Sequence, residues 1–403
     1  MKLLISSIVA LLAGILSALL IPVGEGVNSF LLHLSSLSIN IGRYIVFPMV
    51  FFSLAIAVCK LRREKKLIRT VLITALLIAA STVLLVSIGV LVTIIISPSR
   101  IPLIVETRSL FDLADQRNTF MSIFPQNMFT LFTGNSNVLL PIYFLSFILG
   151  FIMYRDKEVS EPAFNLFDSL SRILFELNMV ISGISPVFLA FISFSLTRSI
   201  KSIPDRAMFS NLILILSISS AVIILIAYPL ALYLTDRKTN PYKTLYNLIL
   251  PLFHGLISGD SFFSLSILTR TLKKNLFISR KISALTLPLN AMFAKAGTAL
   301  VTSVTFLTIL KSYSSLEITL YQIFWVILFS ILVSFTLASF PAMGVYTALY
   351  MLSEFYSRSH TGLTDSYLLI KPVVPLLIGF AVLIDVATSA LITLIVSRKS
   401  TLE

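Results

Sequence analysis

One lysine, Lys295, lies within LPLNAMFAKAGTAL at 287–300, a stretch otherwise typical of buried membrane helix. A cation at the centre of a bilayer costs about 3 kcal/mol on insertion scales, so ionisable residues found there usually have a function. Snorkelling to the membrane surface is disfavoured because residue 295 lies near the middle of its span. Lys295 is therefore a candidate for a fixed cation or for a group that gains and loses a proton.

A carboxylate and two hydroxyls are spaced for one helix face in LIDVATSALITLIV at 383–396. Asp385, Thr388 and Ser389 occupy positions i, i+3 and i+4 of a helix. An ionised carboxylate beside hydroxyls suits an ammonium group. The alternative is an internal ion pair between Asp385 and Lys295, which need not add stability. A ligand is favoured because intramembrane carboxylates usually mark transport pathways.

The elements that position these residues must be membrane-spanning helices. The 403 residues are 57% hydrophobic and 12% charged, with a mean hydropathy of +0.97, which leaves too little polar surface for a soluble protein. Several apolar runs have about the 20 residues that cross a bilayer. Those runs are 3–23, 44–59, 70–97, 139–154, 211–234 and 373–396. The first is longer than the apolar region of a signal peptide and predicts a spanning helix.

The net charge of +13 comes from short basic clusters beside the apolar runs. LRREKKLIR at 61–69 and the C-terminal SRKS are typical of the cytoplasmic loops of a membrane protein. This bias predicts a multi-pass protein of the cell (inner) membrane with both termini in the cytoplasm. The basic residues form no patch interleaved with aromatic residues, so nucleic acid is not an expected partner.

The sequence indicates neither an enzyme nor a cofactor. It has one cysteine, Cys59, and its histidines, His33, His254 and His360, are too scattered to imply a metal site. It contains no HExxH, GxSxG or paired His/Asp pattern that would favour catalysis. The class of proteins that remains besides transporters is a receptor, which binds a ligand without carrying it across the membrane.

Two apolar stretches after residue 250 are interrupted by Gly, Pro and polar residues, at 255–269 and 336–352. Irregular backbone at membrane depth survives only where it is buried in protein or lines a cavity. Paired interrupted segments of this kind point to a binding site built from broken helices. They predict two re-entrant hairpins rather than loops at the membrane surface. The candidate tip residues are Ser261 and Phe262 in the first, and Pro341, Ala342 and Met343 in the second.

These segments resemble the dicarboxylate/amino acid:cation symporter family, the homologues of the glutamate transporters. RYIVFPMVFFSLAIAV at 43–58 is similar to the family's second helix, and TLPLNAMFAKAGTAL at 286–300 aligns without a gap on its seventh. The resemblance covers nearly the whole chain. It implies an all-α polytopic membrane protein with eight transmembrane helices plus two re-entrant helical hairpins, which assembles as a homotrimer.

The resemblance also implies an elevator fold, in which a mobile unit moves against a trimeric scaffold. It assigns scaffold helices 1 and 2 to 1–69 and transport-unit helix 3 to 70–97. An outer loop and scaffold helices 4 and 5 occupy 98–207. The rest of the transport unit, with both hairpins, is expected at 208–403.

The ion-binding chemistry of the family is missing. Where the family carries Asn-Met-Asp-Gly-Thr, residues 294–298 read AKAGT, so Gly-Thr is kept and the sodium-ligating side chains are absent. Two further carboxylates that bind sodium in the family align with Ala381 and Val396 of this sequence. Asp385 falls on the Asp that binds the substrate amine in the family, and Thr298 joins it as a candidate substrate-binding residue. Thr388 occupies the position of the family's substrate-binding Arg, and Ile392 occupies the position of the family's Asn.

These observations predict a sodium-independent, elevator-type transporter of neutral amino acids, in which Lys295 replaces a bound cation and donates to carbonyls of the unwound turn at 294–298 and of the second hairpin. In a second version of this hypothesis, Lys295 is a proton carrier that gains and loses a proton during transport. Loss of the Arg removes a bidentate clamp for a substrate side-chain carboxylate, and Phe262 with Phe263 favours an apolar side chain. The alternative is a proton-coupled symporter of dicarboxylates or acidic amino acids, with Lys295 pairing a substrate carboxylate.

Two further charged positions have simple interpretations. Asp260, where many family members have Arg, either pairs with a nearby base or faces the cytoplasm. Arg172 and Glu176 lie four residues apart in a predicted helix, which favours an ion pair between them.

Overall fold

The regular elements of the computed structural model are helical throughout the residues that it describes, which are 2–20, 24–102, 140–155, 157–203, 205–237, 240–314, 317–337, 344–358 and 363–401. The first six α-helices are α1 (Lys2–Leu20), α2 (Glu25–Arg43), α3 (Val46–Arg63), α4 (Leu67–Ile96), α5 (Leu140–Ile152) and α6 (Lys157–Lys201). A 3-10 turn (Arg206–Phe209), α7 (Ser210–Val222), a π-helical turn (Ile223–Ala227) and α8 (Tyr228–Thr235) follow. The remainder comprises α9 (Pro241–Ser258), α10 (Ser261–Lys274), α11 (Arg280–Phe293), α12 (Ala296–Tyr313), α13 (Leu320–Thr336), α14 (Gly344–Ser357), a 3-10 helix (Ser366–Val373) and α15 (Val374–Thr401).

Seven helical stretches within the described ranges are long and apolar enough to cross a membrane. They are Lys2–Leu20, Gly26–Arg63, Leu67–Ile96, Glu158–Lys201, Arg206–Thr235, Arg280–Tyr313 and Ser366–Lys399. The predicted fourth spanning helix corresponds to α5, which has only 13 residues in the described part of the chain. The protein is therefore a helical, multi-pass membrane protein.

Helix α2 was not predicted as a separate element. Its sequence, EGVNSFLLHLSSLSINIGR, contains many serines, which weaken its hydropathy signal. Ser38 satisfies its hydroxyl by donating to Leu34 O four residues earlier at 2.7 Å, so a serine-rich segment can remain helical in an apolar setting. The helix breaks at Tyr44 and Ile45 before α3 begins.

Helix α6 lies in the segment assigned to scaffold helices 4 and 5, and it continues for 45 residues with two internal prolines. The predicted ion pair between Arg172 and Glu176 is wrong. Arg172 instead pairs with Asp168 at 2.8 Å, which Lys60 of α3 also contacts at 3.0 Å. A carboxylate one turn before the base is the better orientation on a helix.

The helices pack as two groups. Helices α1, α2, α3, α5 and α6 pack on one another in the first group. In the second group, α4 packs with α7, α11, α12, α13 and α15, and these helices pack with α8, α9, α10 and α14. The groups touch where α3 lies against α11 and where α10 contacts α2 and α6. Both site-bearing segments of the sequence fall in the second group.

Helices α9 and α10 fold back on each other at Gly259 and Asp260, within the first predicted hairpin. Asp260 pairs with Arg43 at 3.4 Å, so the interpretation of a nearby base is correct. Helices α13 and α14 flank the second predicted tip and also pack together. The candidate residues Pro341, Ala342 and Met343 lie outside the described residues.

Candidate functional site

The site is built on an interruption between two helices. Helix α11 ends at Phe293, and α12 begins at Ala296. Ala294 (φ −82°, ψ 62°) and Lys295 (φ −89°, ψ 37°) leave the helical conformation between them. The first N–H groups of α12 therefore lack partners within the helix, and they form the positive end of its dipole. Every residue of α12 from 296 to 310 is buried, so this polar end lies inside the protein.

Asp385 of α15 satisfies the exposed start of α12. Its Oδ1 accepts hydrogen bonds from Gly297 N at 2.7 Å and from Thr298 N at 3.4 Å. Its Oδ2 accepts from Thr298 Oγ1 at 3.0 Å. A carboxylate is stabilised at a helix N-terminus by both the hydrogen bonds and the dipole. Asp385 thus caps α12 from a distant part of the chain.

Gly297 allows this cap to form because α12 and α15 approach closely at that point. A Cβ on Gly297 would lie 2.9 Å from Asp385 N and would also collide with Ala381 O. Real Cβ atoms do not tolerate such contacts, and backbone cannot yield easily. Any side chain at position 297 would push Asp385 away from the start of α12.

The ammonium group of Lys295 is buried with little direct compensation. The residue is 4% exposed, and its Nζ donates to Ser261 Oγ at 3.5 Å. Within the described residues Lys295 forms neither an ion pair with a carboxylate nor the expected hydrogen bonds to carbonyls of 294–298. Ser261 is the first residue of α10, so the contact joins the broken helix to the turn between α9 and α10.

Two cavities share Lys295 and Ser261 in their walls. The first, which we call the inner cavity, comprises ≈ 290 Å³ of empty space, including space open to solvent. Its other lining residues are Leu265, Leu268, Asn290, Ala291, Asp385, Val386 and Ser389. The second, which we call the outer cavity, comprises ≈ 280 Å³ of empty space, including space open to solvent. It is also lined by Thr298, Leu337, Gly344, Val345, Ile378, Ala381 and Val382.

The structure brings most of the described candidate residues to these cavities. Ser261, Lys295, Thr298, Asp385 and Ser389 all line one or both. The Ser389 hydroxyl donates to Asp385 O at 2.7 Å, which leaves its oxygen lone pairs open to the inner cavity. A carboxylate, an ammonium group and hydroxyls thus surround one small space.

Two candidates lie elsewhere. Thr388 lines neither cavity, because its hydroxyl donates to Ile384 O at 2.7 Å and lies 2.6 Å from Tyr228 Oη. The ring of Phe262 packs edge-on against Phe47 of α3 at a centroid distance of 5.5 Å. Helix spacing alone placed Thr388 beside Asp385, but the neighbouring helix decides which hydroxyl reaches the cavity.

Two polar residues were missed by the sequence reasoning. Asn290 of α11 lines the inner cavity, and its Nδ2 donates to Ser389 O at 3.2 Å and Thr393 Oγ1 at 3.3 Å. Its signal was a lone amide in the apolar run LPLNAMF. Tyr228 follows the π-helical turn, a feature that is frequent at functional sites but that sequence patterns do not reveal.

The donor set does not fit a sodium ion at the positions that ligate sodium in the resembling family. Ala294, Ala296, Ala381 and Val396 occupy four of these positions, and all are buried. Their side chains offer no oxygen, which is the ligand that hard cations need. Among the residues described, no group of His, Cys, Asp and Glu could hold a metal ion.

The sequence matches one known protein family along almost its whole length. The model of the sodium:dicarboxylate symporter family matches residues 3–399. An "Excitatory amino acid transporter" of Onchocerca volvulus is 26% identical over 223 residues, which cover 55% of this chain and 45% of that protein. "Excitatory amino acid transporter 1" of Homo sapiens is 26% identical over 216 residues, or 52% of this chain and 38% of that protein. The matched region is thus less than half the length of these relatives. The match along almost the whole chain confirms the resemblance seen in the broken-helix segments, and the chain belongs to the sodium:dicarboxylate symporter family.

Proposed function

We propose that the protein is an elevator-type secondary transporter of neutral amino acids that works without sodium, with Lys295 in the place of a bound cation. The observation that carries this proposal is the buried ammonium group of Lys295 at the interruption between α11 and α12. The same segment carries alanines where the family's sodium ligands belong. A tethered cation at that point would balance the charge of Asp385 without any ion from solution.

Charge balance supports a neutral amino acid. The inner cavity contains one carboxylate, Asp385, and one ammonium group, Lys295. A zwitterion entering this space adds no net charge, and pairing of its ammonium group with Asp385 and its carboxylate with Lys295 would offset the cost of desolvating both charges. An acidic amino acid would bring a second carboxylate, and Lys295 is the one cationic side chain among the residues that line the two described cavities.

The placement of the cavities supports an elevator mechanism. Every residue that lines either cavity comes from 208–403, the proposed transport unit. The scaffold helices of 1–69 and 98–207 would supply the trimer contacts. Helix α4, which corresponds to the predicted transport-unit helix 3 at 70–97, would move with the transport unit. A site contained within one packing group can cross the membrane as a unit while the other group stays fixed.

The test is uptake by the purified protein reconstituted in sealed vesicles. Neutral amino acids would be supplied in sodium-free choline buffer and again with sodium, for wild type and Lys295→Met. We expect equal uptake in both buffers and a loss of at least about tenfold in the variant, since truncating a buried charge that a partner requires costs 2 kcal/mol or more. Strong sodium dependence would contradict the proposal.

Ligand binding in detergent separates a transporter from a receptor. A receptor would show a ligand-dependent rise in melting temperature but no uptake into vesicles. An inactive protein would show neither, so the two assays together decide the class.

A second candidate is proton-coupled symport of a dicarboxylate or an acidic amino acid. The observation in its favour is that Lys295 Nζ has one long hydrogen bond, to Ser261 Oγ at 3.5 Å, while its side chain borders both cavities. An ammonium group in that state suits a substrate carboxylate. Uptake of succinate or aspartate that rises with an inward proton gradient, and no uptake of neutral amino acids, would establish this candidate.

A further inference from the structure

The inner cavity contains a hydrogen-bond acceptor for which the proposed function has no role. Asn290 is 1% exposed, and none of the residues that the structure describes donates a hydrogen bond to its Oδ1. A buried carbonyl oxygen without a partner costs free energy, so native proteins retain few of them. An amide oxygen in this state, on a residue that lines a cavity, is a place where a ligand N–H donor can bind.

The orientation of the Asn290 amide follows from its partners. One of them is the backbone oxygen of Ser389, at 3.2 Å. Because a carbonyl oxygen only accepts hydrogen bonds, the atom that faces it must be the amide nitrogen. The second contact, to Thr393 Oγ1, holds the same nitrogen against α15. Oδ1 is therefore the free end of the amide.

The hydrogen bonds around Thr393 also keep the amide fixed. Thr393 Oγ1 lies 3.1 Å from Thr286 Oγ1 and donates to Ser389 O at 2.8 Å. This network ties α11 to α15 just beyond the inner cavity. A fixed acceptor loses little rotamer entropy when a ligand binds, which favours its use in recognition.

Asp385 alone does not offer a full binding site for an amine. Its oxygens already accept from Gly297 N, Thr298 N and Thr298 Oγ1. A carboxylate has about four acceptor positions, so one is left for a substrate ammonium group, which has three donors. A second acceptor near Asp385 is needed, and Asn290 lines the same cavity.

We propose that Asn290 is a substrate-binding residue whose Oδ1 accepts a hydrogen bond from the substrate ammonium group, which makes it the residue that selects amino acids over carboxylates lacking the amine. This inference rests on the proposed function, because it assumes that the inner cavity receives the substrate. The positive end of the ligand then lies between Asn290 and Asp385. Its negative end lies toward Lys295 and Ser261, which line the same space.

The experiment compares two pairs of ligands that differ only in the amine. L-Alanine is paired with propionate, and L-leucine with 4-methylpentanoate. Dissociation constants are measured for the purified full-length protein in sodium-free choline buffer. The proteins are wild type, Asn290→Leu and Asn290→Asp, with Thr286→Val as a control that perturbs the same network outside the cavity.

For wild type we expect each amino acid that binds to do so at least about tenfold more tightly than its partner acid, as one buried hydrogen bond can provide. Asn290→Leu should reduce this preference by about tenfold and leave the dissociation constant of the acid unchanged. Asn290→Asp loses the Nδ2 donor to Ser389 O and Thr393 Oγ1 but keeps an acceptor and adds a negative charge, so it should keep or increase the preference for the amine. Thr286→Val should leave both dissociation constants unchanged.

Other binding results would contradict either the proposed function or the role of Asn290 alone. If wild type binds neither amino acid, the proposed function and this inference both fail. If wild type binds an amino acid and Asn290→Leu weakens the amino acid and the acid equally, Asn290 only supports the fold and this inference alone is overturned. Should Asn290→Leu not fold, the same comparison is made with Asn290→Ala, and equal weakening of the amino acid and the acid in that variant would overturn the inference.

Discussion

The hydrogen bonds of Asp385 show how one residue can stabilise the fold and still serve a site. Its carboxylate caps α12 through three donors and also forms part of the wall of the inner cavity. Asp385 therefore holds the interrupted backbone that Lys295 belongs to. Substrate binding at this carboxylate would be coupled to the geometry of the interruption, because both use the same two oxygens.

Replacement of Thr298 by valine tests that coupling at low steric cost. Thr298→Val removes the donor to Asp385 Oδ2 and leaves the carboxylate oxygen underbonded, which we expect to destabilise the protein by about 1–3 kcal/mol. Thr298→Ser, which keeps the hydroxyl, is the matched control. Thermal denaturation in detergent measures the difference, and equal melting temperatures for the two variants would show that the hydrogen bond is unimportant.

The hydroxyl of Tyr228 also has a structural partner in the site region. It lies 2.6 Å from Thr388 Oγ1, and Tyr228 is 4% exposed. Tyr228→Phe should cost about 1 kcal/mol of stability. Because Thr388 also donates to Ile384 O, Thr388→Val should cost more than Tyr228→Phe. The double variant should cost less than the sum of the two, and strict additivity would argue against direct coupling.

At the scale of elements, the start of α10 is joined to α2 in two ways. Asp260 accepts from Phe263 N at 2.7 Å as the N-cap of α10 and pairs with Arg43 at 3.4 Å. Next to this pair, the ring of Phe263 lies against Gly42, where a Cβ would collide with it. The turn that contributes Ser261 to the cavities is thereby seated on the break between α2 and α3.

Asparagine at position 260 separates the two roles of the aspartate. Asp260→Asn should retain the cap, because Asn and Asp are equally good N-caps, whereas Asp260→Ala loses the cap as well and should cost about 1 kcal/mol more. Arg43→Gln should resemble Asp260→Asn, and the two together should be no worse than either alone. Melting temperatures of the four variants give the comparison. Additive effects of Arg43→Gln and Asp260→Asn would show that the ion pair contributes nothing.

The sequence alone predicted the positions of the helices that are continuously apolar. It did not predict features that depend on contacts with neighbouring helices. Hydropathy located α1, α4 and the final helix, and the rule on interrupted segments located the turn before α10. It missed α2, whose serines bond to their own helix. The cap on α12 could not be predicted, because it depends on how closely Gly297 lets α15 approach. The directions of Thr388 and Phe262 were likewise set by Tyr228 and Phe47.

At the scale of the whole molecule, the two packing groups predict different responses to crosslinking. Glu64 and Lys281 form an ion pair of 2.7 Å between α11 and the residue that follows α3, across the two groups. Lys311 of α12 donates to Ser97 at the end of α4 within one group. These two contacts offer matched positions for a short bifunctional crosslinker.

In a Cys59→Ser background, crosslinking the variant Glu64→Cys/Lys281→Cys should stop uptake while ligand binding persists. Crosslinking Ser97→Cys/Lys311→Cys should leave uptake intact. The physical reason is that only the first crosslink joins groups that must slide past each other in an elevator. Uptake that survives the first crosslink would contradict the proposed division into scaffold and transport unit.

The π-helical turn at Ile223–Ala227 has a consequence for how related chains should be compared. A π turn contains one more residue than an α turn, so it shifts the phase of the helix after it by about 100°. With this turn in place, the hydroxyl of Tyr228 lies 2.6 Å from Thr388 Oγ1. Deletion of one residue from this turn would restore an α-helix and rotate the tyrosine onto a different face. In relatives whose alignment requires a one-residue gap here, the residue at the position of Thr388 would lose this phenol and be free to face the substrate.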